Sequence, residues 1–266
     1  MQQHKTALVG GALSLLLIMP LASQAQQRED TGNGWGLGLG VAVRDTLYAG
    51  ENNRVQPFPY IRYEGERFFV EGPKIGYNII DGEMFTLSGF VAARGDGVDV
   101  EDMGAKELAL NGIDRNLLKD RKLAADAGVS ALFSTEAIGE FELDIRGDIT
   151  STSEGYQASL DYRYPVKAGP VTLIPGIGAT AMSKDLANYY YGTLPEEVAR
   201  GVVDYKPGQV TVPHISITAV LPLSAKWFGI AGVNADRYPK EITDSPLIDK
   251  DTDVVPTVFL AVIRNF

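Results

Sequence analysis

Residues 140–150, EFELDIRGDIT, alternate strictly. Phe141, Leu143, Ile145, Gly147 and Ile149 are apolar or small, and Glu140, Glu142, Asp144, Arg146, Asp148 and Thr150 between them are polar. On a strand, residues i, i+2 and i+4 share a face. On a helix the same charges would scatter around the axis and form no face. The segment therefore predicts a strand with one apolar and one charged side. The pattern recurs. Residues 122–136 set Leu123, Ala125, Ala127, Val129, Ala131 and Phe133 against Asp126, Gly128, Ser130, Ser134 and Glu136, with Leu132 as an exception. Residues 154–165 set Tyr156, Ala158, Leu160, Tyr162 and Tyr164 against Gln157, Ser159, Asp161 and Arg163.

The same reading predicts strands at 35–48, 54–64, 67–79, 83–95, 170–182, 209–222, 225–238 and 253–266. Turn signals separate many of them: Glu64-Gly65-Glu66, Asp81-Gly82, Gly169-Pro170 and Pro222-Leu223-Ser224. Residues 96–121, 183–208 and 239–252 are longer connections. The first carries a helical turn around Lys106–Leu110, and the second a helix started by Pro195 and stopped by Gly201.

These strands are longer than the ~5–6 residues usual in globular sheets. That argues against a soluble sandwich or a lipocalin-like barrel with the apolar face inside. A transmembrane barrel needs strands apolar outside and polar inside, with short turns at one end and longer loops at the other. The expected fold is thus all-β, a closed antiparallel up-and-down barrel with a polar, filled lumen. Single-chain bacterial barrels have even strand counts, and eleven segments are one off. Read backwards from Phe266, the three long loops all fall outside the cell. The miscount then lies before residue 96, leaving 10 or 12 strands. The phenyl and aliphatic groups of 141–149 face lipid, and the charges face the lumen.

The N-terminus supports an envelope location. His4 and Lys5 precede an apolar run from about Ala7 to Leu21, closed by Ser23-Gln24-Ala25. Residues 1–25 thus read as a cleaved secretory signal, leaving 26–266 as a single barrel domain. Cleavage removes Lys5 and no acid, so the mature chain is more acidic than the −10 of the full sequence. That balance does not suit nucleic acid. With no cysteine, disulfides, thiolate metal sites and cysteine nucleophiles are excluded. The last strand, DVVPTVFLAVIRNF, puts Val258, Leu260, Val262 and Phe266 on one face. A terminal aromatic on an alternating strand resembles the signal by which bacterial outer-membrane barrels engage their assembly machinery. Arg264 departs from the usual aromatic or apolar residue two places before the end.

Candidate chemistry is sparse, and no catalytic, cofactor or metal site is expected. Asp96, Asp99, Glu101 and Asp102 read as a solvated acidic loop without the spacing of a calcium loop. In GWGLGLGV, Gly34, Gly36, Gly38 and Gly40 form the small-residue face of a strand and not a phosphate cradle. Asp126, Glu140, Glu142, Asp144, Arg146, Asp148, Asp161 and Arg163 are expected to pair across strands within the lumen, together with His214 and Ser216. The same acids would suit a narrow cation-preferring pore. His214 and Ser216, two residues apart, resemble the nucleophile pair of barrel lipases, with Asp236 or Asn234 to orient the ring. Alternation turns both inward, away from lipid.

Along the mature chain GLGLGVAVRDTLYAG, PYIRYEGERFFVEGPKIGY, NGIDRNLLKDRKLAADAG, NYYYGTLPEEVARG, TDSPL and Phe266 follow in order. Together they resemble the MipA/OmpV family of Gram-negative outer membranes. The resemblance implies a barrel in contact with outer-membrane lipid and lipopolysaccharide. It also implies a scaffold joining a lytic transglycosylase to a murein polymerase. It transfers no catalytic residues.

Overall fold

A computed structural model describes residues 34–266. The expected signal, residues 1–25, lies outside the described residues. The strands are β1 (Gly34–Arg44), β2 (Arg54–Glu64), β3 (Phe68–Glu71), β4 (Lys74–Asp81), β5 (Phe85–Arg94), β6 (Ala124–Thr135), β7 (Gly139–Asp148), β8 (Tyr156–Arg163), β9 (Val166–Ala168), β10 (Val171–Met182), β11 (Val210–Pro222), β12 (Trp227–Arg237) and β13 (Val254–Asn265). Each pairs antiparallel with its chain neighbour, except that β8 and β9 both pair with β10. They are one strand, kinked at Tyr164-Pro165. β13 pairs with β1 from Gly36–Asn265 to Arg44–Thr257, and the sheet closes into a barrel of twelve strands.

The twelfth strand lies before residue 96. Residues 67–79 are a hairpin, β3 and β4, joined at Gly72-Pro73 and paired Glu71 to Lys74. Gly72 has φ 53°, a left-handed conformation that glycine adopts without a Cβ clash. The two-residue turn inverts parity. Glu71 and Lys74 face the same side, where uninterrupted alternation would oppose them.

The outward faces are apolar. In β13 alternate residues are exposed, with Val258, Leu260, Val262 and Phe266 all outward. Leu39, Ile75, Val91, Leu143, Ile217 and Val233 continue the band around the barrel. Aromatic rings meet across strands near the short-turn end: Trp35 with Tyr63 at 4.8 Å, Phe141 with Tyr162 at 4.6 Å and Phe68 with Tyr77 at 5.0 Å. Arg264 joins this girdle, its guanidinium 4.7 Å from the Phe266 ring and 5.9 Å from Trp227. The Phe266 amide donates to the Trp35 carbonyl at 2.9 Å, tying the last residue to the first described strand.

Short turns at 65–67, 82–84, 136–138, 169–170 and 223–226 occupy one end with Gly34 and Phe266; by the usual barrel rule this end is periplasmic. The long connections at the other end fold into a cap. It contains α1 (Ala105–Leu110), α2 (Lys184–Tyr191), α3 (Pro195–Val198) and α4 (Lys240–Thr243). Tyr48, Met103, Leu108, Leu186, Tyr190, Ile242 and Ile248 bring four loops into one buried apolar core. Tyr48 bridges to Ile248 through the backbone, and its hydroxyl donates to the Tyr190 carbonyl at 2.8 Å.

Leu260 sits midway along β13 with its side chain in the apolar band. Leu260→Arg should lower unfolding free energy in liposomes by about 2–4 kcal/mol, the cost of a cation near the midplane. Denaturant titration of the refolded barrel checks this. An unchanged midpoint would place this face away from lipid.

Candidate functional site

The lumen has two unlike walls. From β4 to β8 it is charged. Asp126, with no exposed surface, meets the Arg94 guanidinium at 2.6 Å and Arg146 at 3.8 Å. Arg94 also donates to Gln157 Oε1 at 2.6 Å. Lys74 Nζ lies 3.4 Å from Asp144, which stands 3.7 Å from Arg146. Glu142 accepts from Arg163 at 3.0 Å and from the Ser130 hydroxyl at 3.1 Å, and Glu140 accepts from the Ser134 hydroxyl at 3.5 Å. Asp161 takes His214 Nε2 at 2.8 Å and lies 3.8 Å from Arg163. Buried charges persist only when paired and hydrogen-bonded.

The wall from β10 round to β2 is largely apolar. Phe58, Tyr60, Ile174, Ile230, Phe259 and Ile263 pack together inside. Gly40 makes room there, because a Cβ at that position would run into the Phe58 ring. The glycine face of β1 thus seats an aromatic ring. The single wide alternation of β13 gives no hint of this apolar half, since its inward residues are as apolar as its outward ones.

Asp148 does not join the ion pairs. It ends β7 and accepts from the amides of Thr150, Ser153 and Glu154 at 2.7, 2.5 and 3.1 Å, shaping the loop at 149–155. Ser216 faces the same cavity as His214, yet no hydrogen bond joins the two among the described residues. The ring is held by Asp161 of β8. Asn234 and Asp236, the partners considered from sequence, bond each other at 3.0 Å, and Asp236 lies 3.9 Å from Arg44. Lys74, Arg94 and Arg44 are lumenal residues that the sequence reading missed; Gln157, read onto the polar face of its strand, is a partner of Arg94. The Gly72-Pro73 turn signal would have found Lys74.

Beneath the cap a cavity of about 160 Å³ remains. Asp96, Glu142, Asp144, Asp161 and Asp236 line it against Arg44, Arg146 and Arg163. Its roof is tied by a second set of buried charges. Arg121 holds Glu197 at 2.8 and 3.1 Å in a bidentate pair, with both side chains essentially inaccessible. Arg121 also donates to the Lys119 and Gly192 carbonyls, and Glu197 accepts from the Lys119 and Leu194 amides. This pins the β5–β6 loop to the β10–β11 loop. In the cap, burial pushes the Tyr48, Tyr190 and Tyr191 hydroxyls well above the ordinary phenol range, and Tyr238 up to about 12. These rings stay neutral at any physiological pH.

Residues 37–266 match the family described as MltA-interacting protein MipA. The chain belongs to the MipA family. YiaT of Escherichia coli strain K12 is 28% identical over 211 residues, covering 79% of this chain and 82% of that relative. The MltA-interacting protein of the same strain is 29% identical over 211 residues, with the same coverage. The outer membrane protein OmpV of Vibrio cholerae is 23% identical over 189 residues, 70% of each chain. This MipA-family member is accordingly an outer-membrane barrel.

Glu197→Ala leaves the Arg121 guanidinium buried without its carboxylate. It should cost the cap about 3–5 kcal/mol. Hydrogen exchange should show residues 183–208 losing protection while the strands keep theirs. The double change Arg121→Met with Glu197→Leu should recover much of the loss. Unaltered protection in Glu197→Ala would mean that the apolar core alone holds the cap.

Proposed function

We propose that this barrel is a non-enzymatic, non-conducting scaffold. Its periplasmic end docks a lytic transglycosylase of the MltA type and links it to a murein polymerase. The observation that carries this reading is the filled interior. Ion pairs cross one wall of the lumen, aromatic and aliphatic groups fill the other, and a folded cap covers the outer end. A barrel without an open bore has its surfaces to offer. Membership of a family named for MltA interaction favours a murein enzyme as the partner. At the periplasmic turns Met84, Ile138 and Leu223 are exposed apolar side chains of the kind that anchor small interfaces.

Crosslinking in cells, read by mass spectrometry, tests the scaffold. Photoreactive residues at Met84, Ile138 or Leu223 should recover a lytic transglycosylase. The triple change Met84→Asp, Ile138→Asp and Leu223→Asp should cut that recovery more than tenfold at unchanged barrel levels. Recovery of lipopolysaccharide and assembly factors alone would count against the scaffold.

A narrow cation channel is the second reading, favoured by the acid surplus around the cavity. In planar bilayers the refolded protein should show no steady conductance. A steady, cation-preferring current that falls in Glu142→Gln with Asp144→Asn would replace the scaffold reading with the channel. A lipid hydrolase built on His214 and Ser216 has little support, since the imidazole is committed to Asp161 and both side chains face inward.

A further inference from the structure

The barrel wall has a gap. β2 pairs with β1 along its whole length, from Arg54–Arg44 to Glu64–Gly34. On its other side, among the described residues, it pairs with β3 only at Arg62, Tyr63 and Glu64. One further bond, from the Gly72 amide to the Ile61 carbonyl at 2.8 Å, ends the ladder. The β3–β4 hairpin turns back there, far below the outer end of β2 at Arg54. β4 is paired with β5 up to Lys74–Ala92, and β5 ends at Arg94. Among the described residues, the edge of β2 from Val55 to Pro59 therefore has no neighbouring strand. At ~3.3 Å per residue it runs for roughly 15 Å. The gap is two strands wide, on the order of 10 Å. Its base is the Gly72-Pro73 turn. Its top is bridged where Arg54 donates to the Gly97 carbonyl at 3.3 Å. By register it lies level with Val258 to Val262 of β13, within the apolar band.

The sequence of β2 is fitted to this exposed edge. The Gly65 amide donates to the Phe68 carbonyl and the Ile61 carbonyl accepts from Gly72, so the backbone groups of odd-numbered residues point towards β3. Successive residues of a strand point their backbone groups to opposite sides. Residues 55, 57 and 59 thus point into the gap, and the two deeper ones, 57 and 59, are proline. Two N–H donors that hydrocarbon could not satisfy are absent. An unpaired backbone donor at that depth costs several kcal/mol, and proline on an unpaired edge also blocks strand addition. The outward side chains here are Val55, Pro57, Pro59 and Ile61, all exposed and uncharged.

We propose that this gap is a lipid site, in which an acyl chain of a membrane lipid lies against the unpaired edge of β2. The missing donors select a hydrocarbon chain over a partner's β-strand, which would need them. The uncharged lining suits the same occupant. The site is a lateral notch in the wall and does not depend on a conducting lumen or on a murein partner.

The test is photolabelling in vesicles of phosphatidylethanolamine and phosphatidylglycerol, doped with a phosphatidylcholine carrying a mid-chain diazirine. Trypsin releases residues 55–62 as one peptide. The site predicts adducts on this peptide several-fold above those on the equally exposed Ile215 and Ile217 of β11. Inserting ten strand-forming residues between Gly72 and Pro73, to extend the hairpin along β2, should bring the yield down to the β11 level. Heat-modifiable mobility on gels reports whether that variant folds; the wild-type ratio stands without it. Equal labelling of the two segments overturns the site. So does a folded insertion variant that labels like wild type. A photoreactive residue at position 57 provides the cellular arm, where lipid or lipopolysaccharide adducts support the site. A protein adduct there overturns it in favour of a strand partner.

Discussion

Hydrocarbon offers no hydrogen bonds, and that constraint organises the molecule. Nearly all backbone donors and acceptors at bilayer depth find partners within the chain, and where the edge of β2 is left open two prolines remove donors. An open sheet would leave two unpaired edges, so β13 returns to β1 and the last residue bonds back to Trp35. The same constraint turns the apolar side chains outward, which forces alternate residues inward. Charge in the lumen is thus a consequence of where grease has to go. Once inside, those charges must neutralise one another, and Asp126, Arg94 and Arg146 do so within one cluster.

The inside is not uniform because the twelve strands do not contribute equally to it. β7 and β8 place a polar group at every inward position, and β6 adds Asp126, Ser130 and Ser134. β13 places Val255, Phe259, Ala261 and Ile263 there instead. One wall therefore coheres by ion pairs and the other by packing. The two mechanisms respond differently to substitution: loss of one partner disturbs the first, while cavities disturb the second. The cap repeats the combination on a smaller scale, with an apolar core and one buried ion pair across it.

Much of this architecture was legible in the alternation of the chain. The outward face of nearly every strand could be read off, because a lipid face tolerates so few residue types. The hairpin at Gly72-Pro73 was hidden, since alternating residues on both sides of a two-residue turn resemble one long strand. The polar wall was visible through its charges. The apolar wall was not, because β13 is hydrophobic on both faces and period 2 carries no signal there. Asp148 was misleading for a different reason. It lies on the lumenal parity of β7 but at the strand's last residue, where loop amides compete for its carboxylate. The partner of His214 was also out of reach, because sequence adjacency suggested β12 and the sheet supplied β8. Pro57 and Pro59 were plain in the sequence, but only the register shows which side of β2 their missing amides face.

The cap also dictates an order of events during biogenesis. Its core joins Tyr48 to Ile248 and Met103 to Leu186, residues far apart along the chain. Contacts of such long sequence separation carry a high loop-closure cost until the intervening strands have paired. The loops must then cross the membrane as unfolded chain and gather only after the barrel ends are in place. The compact cap is in this sense a record of completed closure. A barrel with one hairpin misregistered would display loose, protease-sensitive loops at the cell surface long before its transmembrane wall looked abnormal.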